Sequence, residues 1–168
     1  MEQILQILGP TGPFLDRIFR GLDSLAIDVS DFELDHVCFR TSSAEEYETV
    51  KQSLAAHGEL LVESPVNGRL IATYRLCQPI QYLKRAISVV EVPSPRSGRP
   101  EKSGLEHVEF VIPESLEALV ARNPFVSFDV RGMGQGMNSE VRVAFDGLTV
   151  KFHRHSLARI IEVETSGR

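Results

Sequence analysis

A seven-residue pattern that occurs twice constrains the fold of this 168-residue chain more than any other feature. Residues 34–40 and 105–111 both read Leu, acid, His, Val, any residue, Phe, any residue. Because apolar residues alternate with others in runs rich in Val and Phe, both copies are predicted to be β-strands. Successive side chains leave a strand on opposite faces. We therefore expect each copy to pack its apolar face on a helix and to turn His36 or His107 into a cavity.

The segments that follow each copy extend the repeat into strand, helix, strand, strand, strand. After the first copy, the pattern predicts a helix with a buried stripe of Tyr47, Val50 and Leu54, followed by strands at 59–64, 69–76 and 86–92. Asn67-Gly68 is the hairpin signal between the first two of these strands, and Pro79 is expected to end the second. After the second copy, which is predicted as a strand over 105–112, the prediction is a helix at 113–122, strands at 126–130, 139–145 and 148–153, a glycine-rich turn at 132–136 and an Asp146-Gly147 hairpin.

These elements predict an α+β fold in which two paired βαβββ modules form a curved mixed sheet around a central cavity, preceded by an N-terminal helix. Within a single domain, the predicted parts are an N-terminal helical segment at 1–30, a first module at 31–95, a linker at 96–103, a second module at 104–155 and a C-terminal tail, or short helix, at 156–168. The amphipathic helix itself is expected over 13–27.

Composition narrows the classes of partner. The chain is 42% hydrophobic and 24% charged, as ordinary globular domains are, and its net charge of −5 argues against broad nucleic-acid binding. There is no stretch long and apolar enough for a membrane helix and no basic leader at the N-terminus. We expect a cytoplasmic protein, a monomer or homodimer, whose partner is a small-molecule ligand or substrate rather than nucleic acid or membrane.

The inward faces of the predicted strands carry candidate metal ligands. Period-2 alternation places Glu91 with Ile87 and Val89, and it places Lys151 with Thr149 and His153. Two imidazoles and a carboxylate are a normal ligand set for divalent zinc, nickel, manganese or iron. The residues alone leave open a second interpretation, in which His36 and His107 are hydrogen-bonded polar groups that line the cavity.

The motifs resemble the vicinal oxygen chelate superfamily, which includes glyoxalase I, extradiol dioxygenases and bleomycin-resistance proteins and is built from paired βαβββ modules. The resemblance implies one metal ligand from the first strand and one from the last strand of each module. His36, Glu91 and His107 match three of these positions. Lys151 stands at the fourth, so the resemblance leaves three protein ligands, His153 as a replacement, or no metal with Lys151 paired to Glu91 or to an anionic ligand.

Over its whole length the chain also resembles the YecM family of small, uncharacterised bacterial proteins. The similarity runs through Asp35-His36, Gly58 to Leu61, Asn67 to Arg69, Val90-Glu91, Glu106 to Glu109, Asp146-Gly147 and Lys151 to His153. It implies a vicinal-oxygen-chelate-like fold with a metal site and no established reaction.

Four further residues complete the predicted site. Arg40 and Arg69 suit bidentate binding of a substrate carboxylate or phosphate, or else form intramolecular ion pairs. Glu109 suits a general base or an acceptor that orients an imidazole, and Lys151 suits proton transfer or anion binding. The leading hypothesis is a metal-dependent lyase, isomerase or dioxygenase of the glyoxalase type. The alternative is a non-catalytic module that binds an anionic small molecule.

Overall fold

The computed structural model describes residues 2–98 and 100–167 and confirms the α+β class. In the order of the chain, the helices and strands are α1 (Glu2–Leu8), α2 (Thr11–Ser24), β1 (Glu33–Arg40), α3 (Ala44–Ala55), β2 (Gly58–Val66), β3 (Arg69–Tyr82), β4 (Arg85–Pro93), β5 (Gly104–Val111), α4 (Leu116–Arg122), β6 (Glu140–Phe145), β7 (Leu148–His153) and α5 (Leu157–Ser166). The chain divides into two compact units. Unit one comprises the chain up to Thr11 and His36–Glu106, and unit two comprises Gly12–Asp35 and the chain from His107 onward.

Unit one contains the predicted βαβββ order, β1-α3-β2-β3-β4. Its strands are arranged β2-β3-β4-β1, with β1 parallel to β4 and the other neighbours antiparallel. Helix α3 begins where Ser43 accepts a hydrogen bond from the Glu46 N–H, and it buries the predicted stripe of Tyr47, Val50 and Leu54. The Asn67-Gly68 turn forms as predicted because both residues adopt positive φ, at 50° and 82°.

The prediction that Pro79 ends the second strand of this hairpin is wrong. Strand β3 continues to Tyr82, and its pairing with β4 is irregular between Arg75 and Ile80. Residues 76–79 lie outside the regular ladder, so a proline that lacks an N–H is tolerated there. The result is a longer arm whose turn carries Leu83 at φ 51° and 81% exposed.

Unit two is a smaller version of the same arrangement. Its strands are arranged β5-β7-β6, with β5 parallel to β7 and β6 antiparallel to β7. The predicted strand at 126–130 is wrong, because only an isolated bridge between Asp129 and Arg142 forms there. The Asp129 carboxylate accepts a hydrogen bond from the Arg131 N–H, and such local bonds compete with a strand ladder.

Aromatic rings form much of the core of unit two. The rings of Phe110 and Phe152 are stacked at 5.9 Å, and Phe19 meets Phe110 edge to face at 6.0 Å. Phe32 and Phe128 contact the Phe152 ring in the same edge-to-face way. These contacts hold β5 and β7 against α2 and the adjoining segments.

Helix α2 is shorter at its C-terminal end than the predicted 13–27. Ala26 adopts the left-handed conformation at φ 55°, and the Ile27 N–H donates to the Leu22 carbonyl. Together these features end the helix. At the end of the chain, α5 forms where a helix or tail was expected, and Ser156 caps it by accepting from the Arg159 N–H. Within the described residues, no helix has both the length and the apolar composition needed to cross a membrane.

Two glycines of α2 offer a test of how tightly unit two is packed. A Cβ on Gly21 would overlap the ring of Phe145, whereas a Cβ on Gly12 would meet nothing within 4 Å. We expect Gly21→Ala to lower the free energy of unfolding by about 1–3 kcal/mol through overpacking. Gly12→Ala should change it by less than about 1 kcal/mol, because the helix preference of alanine is opposed by the restriction that Pro13 places on the preceding residue. Urea unfolding followed by circular dichroism measures both, and equal effects of the two variants would contradict this packing.

Candidate functional site

Unit one brings one imidazole and one carboxylate together. The parallel pairing of β1 with β4 sets Cys38 opposite Glu91 and His36 opposite Val89. His36 and Cys38 therefore share a face with Glu91, as alternation predicted. The ligand atoms of His36 and Glu91 lie within 4.8 Å of one another; His36 is 1% exposed and Glu91 is half-buried. Nitrogen and oxygen donors at this separation fit a divalent metal such as zinc or iron.

Unit two places His107, Glu109, Lys151 and His153 on one face. The pairing of β5 with β7 sets Glu109 opposite Lys151 and His107 opposite Thr149. The Nε2 atom of His107 lies 3.2 Å from Glu109 Oε1, and the Lys151 ammonium donates to the same oxygen at 2.6 Å. Glu109 is thus the acceptor that links the predicted imidazole ligand to the lysine.

Lys151 is held as a cation between two carboxylates. Besides Glu109, its Nζ lies 3.5 Å from Glu140 Oε2, and Glu140 in turn accepts a hydrogen bond from Arg142. The Arg142 Nε lies 3.8 Å from Asp129 Oδ2, and hydrogen bonds from the Arg131 side chain hold the pKa of Asp129 well below its usual range. A protonated amine has no lone pair, so Lys151 does not fit the role of a metal ligand.

His153 lies among carboxylates as well. Its Nε2 atom is 3.5 Å from Asp35 Oδ2 and 3.7 Å from Glu109 Oε2. Asp35 is 5% exposed and accepts the Leu157 N–H at 2.9 Å, which ties the start of α5 to the start of β1. Burial, with a smaller contribution from the charge of Asp35, raises the pKa of the neighbouring Glu33.

Both predicted substrate-binding arginines make intramolecular ion pairs in unit one. Arg40 donates to Glu106, and its Nε lies 3.9 Å from Glu101 Oε1. Arg69 Nη1 lies 3.4 Å from Glu101 Oε2 and 3.4 Å from the Ser94 carbonyl. The described residues therefore bring Arg40 and Arg69 to one shared carboxylate.

Asp35, Glu101 and Glu140 belong to these clusters but were not predicted from the sequence. Asp35 had a signal, since an acid precedes the histidine in both copies of the repeat. Glu140 also had one: a two-residue Asp146-Gly147 hairpin fixes the register that sets Glu140 opposite His153. Glu101 had none, because it lies in the Pro- and Ser-rich connector between β4 and β5.

Comparison with solved structures confirms the fold. The chain has the vicinal oxygen chelate fold: a structure of Streptomyces coelicolor methylmalonyl-CoA epimerase in complex with 2-nitronate-propionyl-CoA superposes with a TM-score of 0.52 at 14% identity, over 71% of this chain and 94% of that one. At this identity the likeness concerns the fold alone. A structural genomics protein superposes with a TM-score of 0.72 at 29% identity, over 90% of each chain.

The family is more specific than the fold. The family model described as YecM protein matches residues 5–135. Protein YecM of Escherichia coli K12 is 29% identical over 90% of this chain and 91% of that protein. The chain belongs to the YecM family.

The Lys151 cluster can be tested by removing the cation. We expect Lys151→Met to lower the free energy of unfolding by about 1–3 kcal/mol, because Glu109 and Glu140 stay largely buried without it. Arg159→Met is the matched control, since the Arg159 and Glu162 side chains are 62% and 56% exposed. That change should cost less than about 0.5 kcal/mol.

A double variant makes the test specific for the ion pair. Adding Glu109→Gln to Lys151→Met should recover part of the loss, because the carboxylate that lost its partner is then neutral. Chemical unfolding of the four proteins of the cycle measures the coupling. A coupling free energy near zero would mean that Lys151 does not stabilise Glu109.

Proposed function

We propose that this chain binds one divalent metal ion through His36, Glu91 and His107 and that it acts on a small molecule as a glyoxalase- or dioxygenase-type enzyme. The observation that carries the proposal is the proximity of His36 and Glu91 in unit one, whose ligand atoms lie within 4.8 Å of one another on one face of adjacent strands. His107 occupies the equivalent first-strand position of the second module. The vicinal oxygen chelate fold adds support, because it frames such sites in other proteins.

A bound metal ion would supply Lewis acidity toward two neighbouring oxygens of a substrate. The protein groups then have separate tasks. Glu109, which contacts the His107 Nε2 at 3.2 Å, orients that imidazole and accepts a proton from the substrate. Lys151, 2.6 Å from Glu109, places a positive charge where negative charge would develop.

His153 is the fourth candidate ligand in this proposal. Because its Nε2 atom lies near Asp35 and Glu109, His153 would be equally suited to an electrostatic contact with those carboxylates. Acyl-CoA esters are reasonable first ligands to screen, since the epimerase with this fold was solved with 2-nitronate-propionyl-CoA. The alternative function is a non-catalytic module that binds an anionic small molecule without a metal.

Metal content is the direct test. Untagged protein is incubated with Mn²⁺, Fe²⁺, Ni²⁺ and Zn²⁺, desalted and measured by elemental analysis. We expect about one equivalent per chain, lost in His36→Ala, Glu91→Gln and His107→Ala because each removes one of three ligands. His155→Ala is the matched control, since this histidine is exposed and outside the cluster.

Loss of metal counts only in variants that keep the fold, so each variant is checked by circular dichroism and by its urea midpoint. His36→Asn and His107→Asn, which remove the metal-binding ring with a smaller change in volume, serve if either alanine variant unfolds. His153→Gln assigns the fourth position: retained metal limits the protein ligands to three. Metal-free wild-type protein under all four ions, or full occupancy in folded His36 and His107 variants, would reject the proposal.

A further inference from the structure

Two arginines from rigid strands converge on one buried carboxylate in unit one. Arg40 ends β1 and Arg69 begins β3, whereas Glu101 lies in the connector after β4. Glu101 Oε2 is 3.4 Å from Arg69 Nη1, and Glu101 Oε1 is 3.9 Å from Arg40 Nε. The Glu101 and Arg69 side chains are 9% and 11% exposed. Glu101 is thus held between two arginines that the strands position, and one of them, Arg40, also donates to Glu106.

The carboxylate satisfies these guanidinium groups poorly. Ion-paired hydrogen bonds between nitrogen and oxygen are usually about 2.7–2.9 Å long, and both arginine contacts of Glu101 are longer. The Nε of Arg40 is buried and has no hydrogen-bond partner within the described part of the chain. The Arg40 Nε is therefore a donor that neither Glu101 nor Glu106 uses, and Arg69 holds Glu101 only by a long contact.

A second feature is that the occupant comes from a connector and not from the sheet. Glu101 also accepts the Arg96 N–H at 3.1 Å, so its oxygens are shared between a local backbone group and the two arginines. Arg69 is positioned independently of Glu101, because it also donates to the Ser94 carbonyl at 3.4 Å. Displacement of the Glu101 side chain would leave both arginines in place on their strands.

We infer that Arg40 and Arg69 form a binding site for an oxyanion, the phosphate or carboxylate group of a small molecule, and that Glu101 occupies this site as an internal competitor. A phosphate group has more acceptor oxygens than Glu101 offers and can reach the Arg40 Nε as well. The guanidinium fork suits such bidentate recognition. Because Glu101 is tethered, it competes at a high effective concentration and lowers the affinity of the site for external anions. A ligand that makes further contacts with the protein displaces Glu101. This site needs no metal and stands apart from the proposed metal function.

The experiment measures binding of inorganic phosphate by calorimetry, in chelator-treated protein at constant ionic strength. We expect Glu101→Gln to bind phosphate at least tenfold more tightly than the wild type, because the competing charge is gone and Gln keeps the volume. Adding Arg69→Gln to Glu101→Gln should abolish the gain. Malonate in a parallel series distinguishes a carboxylate ligand from a phosphate ligand, and tighter binding of either one supports the site.

Glu114→Gln is the matched control, because Glu114 pairs with Arg122 at 2.8 Å on a more exposed surface. Its affinity for phosphate shows how much any arginine gains when its paired carboxylate is neutralised at this ionic strength. If Glu101→Gln unfolds, Glu101→Asp withdraws the carboxylate by one methylene and should still tighten binding. The inference would be overturned if the folded Glu101 variant bound phosphate and malonate no more tightly than the wild type does. A gain in affinity that survives removal of Arg69 would also overturn it.

Discussion

The parallel pairing of the first strand of each module with its last strand is the constraint on which the site depends. In unit one this pairing sets Cys38 opposite Glu91, and in unit two it sets Glu109 opposite Lys151. Paired residues on neighbouring strands share a face. The residue two positions after each histidine therefore lies beside its partner on the last strand, which is Glu91 in unit one and Lys151 in unit two. Each module therefore combines one histidine with one strand-to-strand pair.

The two modules fill this pair with opposite chemistry. In unit one the acid, Glu91, is on the last strand, and its first-strand partner Cys38 is uncharged. In unit two the acid, Glu109, lies on the first strand, and the last strand carries Lys151. Both modules keep a carboxylate near a histidine, but only that of unit two is joined to a lysine on the paired strand. Because Lys151 stands at the last-strand position of unit two, the chain departs from a pattern of four metal ligands. The donor pair of unit one, His36 and Glu91, is still present.

Sequence was sufficient for features that local chemistry decides. Alternation identified β1, β5 and the face shared by Lys151 and His153, and the Asn67-Gly68 and Asp146-Gly147 dipeptides identified two hairpins, because each residue there tolerates positive φ. It failed where tertiary structure overrides a local rule, as at Pro79, where β3 continues through an irregular stretch of its pairing with β4. It also failed at Asp129, whose side chain binds its own backbone two residues on. Side-chain partners from connectors, such as Glu101, have no periodicity and so left no signal.

Stability alone does not explain why this chain keeps so many buried charges beside its histidines. Desolvation of an ion pair offsets most of its Coulombic attraction, and apolar residues of equal volume usually stabilise a core as well. The Lys151 and Glu109 side chains, which lie beside His107, are 19% and 11% exposed, where this cost is large. Charged groups held in fixed positions near imidazoles are useful instead for binding anions and moving protons. Because folds of this kind carry many functions, these clusters, more than the resemblance to an epimerase, define what the chain can do.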